Sequence, residues 1–73
     1  MSRLPVISGR ELVKALAKVG FVFDRQKGSH MIVHRSDPVT TLSVPDHKEL
    51  DRGTLRALLR HAGITPEGFR ELL

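Results

Sequence analysis

The sequence predicts an α+β domain of α-β-β-β-α order: a three-stranded antiparallel sheet with two helices on one face and a short C-terminal helix. Three observations predict it. Ser8 stands three residues before Glu11, ahead of an apolar stripe at helical spacing. Three runs of period two follow, parted by short polar turns, and a second helical stripe then closes at Gly63.

Ser8 and Glu11 form a capping box, in which each side chain takes up a free backbone amide at a helix start. Leu12, Val13, Leu16 and Val19 lie on one stripe and Gly20 is the natural stop, which places helix one at Gly9 to Val19. From Phe21 the period becomes two, with Phe21, Phe23 and Arg25 expected on one side and Val22, Asp24 and Gln26 on the other. Lys27-Gly28-Ser29 reads as a turn. The next strand alternates His30, Ile32 and His34 against Met31, Val33 and Arg35, and its apolar residues on both faces mark it as central. Ser36-Asp37-Pro38 makes a second turn, and Thr40 to Val44 is a third strand ended by Pro45. Turns this short imply an antiparallel meander.

Asp46 to Leu50 is a polar connector, after which Asp51 caps a helix carrying Leu55, Leu58, Leu59 and Ala62 on one face. Thr65-Pro66-Glu67 then starts a short final helix that offers Phe69, Leu72 and Leu73 to the core. Gly9, Gly20 and Gly63 read as helix punctuation. With no internal repeat, low-complexity tract or linker, residues 1–73 are expected to form a single domain. Helices on one face of the sheet leave the other in water, and if Met31 and Val33 point inward, His30 and His34 emerge together on that open face.

Composition narrows the chemistry. A chain of 73 residues hides only about 60% of the surface its unfolded form exposes, and its stability falls at roughly 4 to 10 kcal/mol. So thin a core leaves little room for a large cofactor, and none is expected. A shallow surface groove favours a polymeric ligand. The absence of cysteine excludes thiol nucleophiles, disulfides and thiolate metal sites. Lys and Arg outnumber Asp and Glu by 12 to 8, giving a net charge of +4 and a field that attracts polyanions. No apolar run approaches the roughly 20 residues that span a bilayer, and Met1-Ser2-Arg3-Leu4-Pro5 lacks the apolar core of a secretory signal. No membrane association is expected, and the cytoplasm is the default compartment.

Histidine, with an unperturbed pKa of about 6.5, both takes and gives a proton at neutral pH. Cleaving RNA needs that capacity, because the 2′ hydroxyl loses a proton as it attacks and the departing 5′ oxygen gains one. Gly28-Ser29 delivers His30 onto the first position of the central strand, with Arg25 and Lys27 beside it as candidate phosphate ligands. Gly28 permits a positive φ and lets a phosphate approach the turn amides, including that of Ser29. Taken alone, a histidine at a strand start is an ordinary surface residue, and Arg25, Lys27 and Arg35 are equally the solvated edge of a small sheet.

Four histidines, His30, His34, His47 and His61, raise a metal reading that the spacing does not support. His30 and His34 are about 13 Å apart on an extended strand at about 3.3 Å per residue. His61 lies where its charge favours a helix C-terminus. There is no glycine-rich phosphate loop, no interpretable triad through Ser29, and the acids are scattered.

The series Gly20-Phe21, Arg25-Gln26-Lys27-Gly28-Ser29-His30, Val44-Pro45-Asp46-His47, Gly53-Thr54-Leu55 and Ala62-Gly63-Ile64-Thr65 strongly resembles the HicA family of bacterial toxins, also called YcfA-like proteins. The match runs in family order over nearly the whole chain, and Arg-Gln-Lys-Gly-Ser-His is its sharpest motif. The resemblance implies a double-stranded-RNA-binding-domain-like fold, in agreement with the element order above. It also implies a ribosome-independent mRNA endoribonuclease, the toxin of a type II toxin-antitoxin system, in which the histidine of Gly-Ser-His, here His30, is essential. The partner it implies is a HicB-type antitoxin that masks that histidine. The expected mechanism is metal-independent, with His30 moving the proton and Lys27 and Arg25 holding the phosphate. The alternative is a non-catalytic RNA-binding module of the same fold, against which Asp51-Arg52-Gly53-Thr54 lacks the lysine cluster such modules present there. A third possibility is a purely protein-binding module.

Overall fold

Ser8 and Glu11 close the capping box: the Glu11 amide donates to Ser8 Oγ at 3.1 Å and the Ser8 amide to Glu11 Oε1 at 2.8 Å. They start α1, Gly9–Ala17. The protein is described over residues 4–73 by a computed structural model, so the first three residues of the segment read for a secretory signal lie outside the described residues.

Helix α1 ends two residues before the expected Val19. The Gly20 amide donates to the Ala17 carbonyl and the Phe21 amide to the Leu16 carbonyl, the paired bonds of a Schellman closure. This closure drops the buried Phe21 onto the core before the first strand begins. Strands β1 (Val22–Lys27), β2 (His30–Ser36) and β3 (Val39–Pro45) pair antiparallel in the order β1-β2-β3. Both connections are two-residue hairpins, Gly28-Ser29 and Asp37-Pro38, the latter with a cis peptide bond. Asp51 accepts the Thr54 amide at 3.2 Å to start α2, Arg52–Ala62, and Thr65 caps α3, Pro66–Arg70. The α+β order expected from periodicity is the order observed, with the third helix the terminal turn.

The core lies between one face of the sheet and the helices. Met31 and Val33 of β2 and Leu42 and Val44 of β3 point into it, against Leu12 and Leu16 of α1, Leu55 and Leu59 of α2, and Phe69 of α3. Leu73, expected in the core, is instead 56% exposed, because α3 ends at Arg70 and leaves the last residue beyond the packed layer. Among the described residues no helix is long and apolar enough to cross a membrane.

Three local features depart from the simple periodic reading. Strand β1 carries a bulge between Phe23 and Arg25, so Phe23 pairs with Val33 while Arg25 pairs with Ile32. Directly paired residues share a face, and the bulge therefore parts Phe23 and Arg25, which strict alternation puts on one side. Gly9 is more than punctuation, because a Cβ there would run into the Pro45 carbonyl oxygen; its own amide donates to the His47 carbonyl at 2.9 Å. Arg35 is no solvated edge. Half-buried, its guanidinium lies 4.4 Å from the Phe21 ring centroid and donates to the Ala62 carbonyl at 3.1 Å and to Thr40 Oγ1 at 3.3 Å.

Candidate functional site

The site is built from the first hairpin. Gly28 has φ +59 and no other residue but glycine in the described chain has a positive φ, so the left-handed position falls at the first central residue of the turn, as in type II′. That turn twists with the strands it joins, and it sets Lys27 directly opposite His30 in the ladder. Both side chains are exposed.

Pairing assigns the faces. Met31 and Val33 are buried under the helices, so His30, Ile32 and His34 stand on the open face, where β3 adds Pro45, Ser43 and Thr41 opposite them. The β1 bulge brings Arg25 and Lys27 to this same face, opposite Ile32 and His30. The structure thus gathers Lys27, Gly28, Ser29 and His30 at one corner of the sheet, with Arg25 one ladder row away. Arg25 Nη1 lies 3.4 Å from Asp24 Oδ2, with both side chains well exposed, a contact worth little in water. His34 is a separate feature, on the row of Val22 and Thr41. His47 and His61 are exposed elsewhere, and among the described residues no group of three or more His, Cys, Asp or Glu side chains converges.

Sequence reasoning missed the support behind the turn. The Asp46 amide donates to the Ser29 carbonyl at 2.8 Å, extending the β2–β3 pairing past Pro45. Gln26 Nε2 donates to the Gly28 carbonyl at 3.2 Å and to Asp46 Oδ2 at 3.3 Å. From α1, Arg10 Nε and Nη2 reach the same carboxylate at 3.1 and 3.3 Å. The Arg10 hydrogen bond is the main reason the Asp46 carboxyl is held below the usual carboxylate range; Gln26 and the charge of His47 act in the same direction. These partners are 20 and 36 residues from Asp46 in sequence, and only the meander register brings them together.

Chemically, the corner offers an exposed imidazole, a neighbouring ammonium and the backbone of a glycine turn. It can move a proton and hold an anion. The open face also carries apolar surface, with Val22 62% and Val39 86% exposed at the margins of the sheet.

The family model described as "HicA toxin of bacterial toxin-antitoxin" matches residues 9–64, from the first residue of α1 to the residue after α2 closes. The match includes the hairpin and every residue of the Gln26, Asp46 and Arg10 contacts. The search of curated proteins gave no match.

Proposed function

The chain belongs to the HicA toxin family of toxin-antitoxin systems, and from that premise we propose that it is a ribosome-independent endoribonuclease that cleaves mRNA in the cytoplasm and arrests translation. The observation that carries this reading is the placement of His30: exposed on the open sheet face, directly paired with Lys27, at the exit of a glycine turn.

In the proposed reaction a strand of RNA lies on the open face with a phosphate at the Lys27–His30 corner. His30 takes the proton of the 2′ hydroxyl as its oxygen bonds to phosphorus. The bond from phosphorus to the 5′ oxygen breaks, and that oxygen takes a proton from solvent, leaving a 2′,3′-cyclic phosphate and a 5′ hydroxyl. Lys27 neutralises charge on the non-bridging oxygens, with Arg25 one row further along the strand. The amides of the Gly28-Ser29 turn are approachable because Gly28 has no side chain and nothing lies within 4 Å of where one would be. Such a positioned proton-transfer group contributes about 10²- to 10⁴-fold.

The partner in this reading is a HicB-type antitoxin that covers the open face, for which the exposed Val22 and Val39 supply apolar contact toward the end of the sheet away from the polar corner. The test is cleavage of end-labelled RNA in EDTA by the purified protein. Cleavage by the wild type and none by His30→Ala is the expected result. RNA that is shifted but uncut by the wild type supports the non-catalytic binding module instead.

A further inference from the structure

We infer that Gln26 and Asp46 are positioning residues that fix the Gly28–Ser29 turn and thereby the direction of the His30 side chain, an inference that rests on the nuclease reading of His30. Hairpin tips at the end of a sheet are ordinarily its most mobile part. Here the tip is tied from behind. Gln26 pairs with the buried Met31 and so reaches out on the helix side of the sheet, opposite to His30. One amide nitrogen of Gln26 spans from the Gly28 carbonyl to Asp46 Oδ2. The backbone of Asp46 meanwhile holds the Ser29 carbonyl, and Arg10 holds the Asp46 carboxylate against α1.

Both central carbonyls of the turn are therefore occupied, by groups that leave the front of the hairpin clear for a substrate. A role in overall stability explains this arrangement poorly. The Arg10 side chain is 79% exposed, and surface pairs of that kind stabilise little. Orientation is different, because a reacting group displaced by about 1 Å loses about 10²-fold in rate. Gln26 belongs to the Arg-Gln-Lys-Gly-Ser-His run, and the bulge at Asp24 is what turns it to the side where Asp46 waits.

The test uses the full chain and one labelled RNA oligonucleotide, comparing the wild type with Gln26→Leu, Asp46→Ala, Asp46→Asn and His30→Ala. Gln26→Leu and Asp46→Ala are expected to lower kcat about ten- to a hundredfold with KM within about twofold. Asp46→Asn, which keeps an oxygen to accept from Gln26, is expected to stay within about threefold of the wild type. The double variant Gln26→Leu/Asp46→Ala should be no worse than the poorer single one, because both break one relay. In the absence of RNA, backbone order parameters at residues 28–30 should fall in Gln26→Leu while the rest of β2 keeps its values. An unchanged kcat in Gln26→Leu, or unchanged order at residues 28–30, overturns the inference. If the wild type does not cleave, or His30→Ala cleaves equally well, the nuclease reading fails, and the order parameters alone then decide whether Gln26 and Asp46 fix the turn.

Discussion

Lys27 and His30 are cross-strand partners at the last rung of the first hairpin, joined by only Gly28 and Ser29. A directly opposed pair in an antiparallel ladder has its Cα atoms about 5 Å apart with both side chains on one face. The Lys27 and His30 side chains thus leave the sheet from one rung on one face, without relying on any flexible loop to bring them there.

Gly28→Ala should destabilise the protein by about 1 kcal/mol, a penalty of backbone conformation alone. Its φ is +59, and an added Cβ meets nothing within 4 Å, so no steric clash contributes. For a domain of this size that corresponds to a Tm lowered by about 4 to 8 °C, readable by circular dichroism.

Gly9→Ala tests a different constraint. The Cβ would run into the Pro45 carbonyl oxygen, which is backbone and cannot swing aside, and Met31 stands close by. Destabilisation of about 1 to 3 kcal/mol is expected from overpacking, despite the better helix propensity of alanine. Because Pro45 is the β3 partner of His30, any activity the protein has should fall with it. Chemical denaturation of the variant beside the wild type gives the sign directly.

Arg35→Met keeps much of the stem that packs on Phe21 but removes the guanidinium that donates to the Ala62 and Pro38 carbonyls. A loss of about 1 to 2 kcal/mol is expected from the cation–π contact and the charge at the α2 C-terminus. RNA cleavage below the new melting temperature should be unchanged, since Arg35 lies on the helix side. A normal Tm with lost cleavage would move Arg35 into the site.

Acid should weaken the fold. Glu11 is held below its usual range chiefly by the Ser8 backbone amide, and Asp46 chiefly by the Arg10 hydrogen bond. A carboxyl whose pKa is lower in the folded chain than in the unfolded one adds stability that is present above the unfolded value, and lost as pH falls through the folded one. Urea midpoints should therefore hold from neutrality to about pH 5 and decline below about pH 4, where unfolded carboxyls take up protons first. The decline should be small, since the Arg10–Asp46 pair lies at the surface, and slightly shallower in Asp46→Asn.

The sequence carried much of this fold because its signals were local. The Ser8 and Glu11 box, the two hairpin turns and the closure at Gly63 each lie within a few residues, and each is observed. The placement of His30 on the open face followed from Met31 and Val33 alone. Strict alternation puts Arg25 on the side of Phe23, and the bulge that parts them adds one residue without any composition cue at Asp24. The roles of Gly9, Arg35 and the Asp46 relay were hidden for another reason. Each depends on a contact between elements 27 or more residues apart or across the sheet, and such contacts exist only once the register is known.

The most direct measurement is the cleavage rate of a labelled single-stranded RNA in EDTA by His30→Ala against the wild type, with matched circular dichroism spectra and melting temperatures. An exposed imidazole outside the core predicts an unchanged fold and a rate reduced at least about a hundredfold. A well-folded His30→Ala protein that cuts RNA at the wild-type rate, free of contaminating nuclease, contradicts the account.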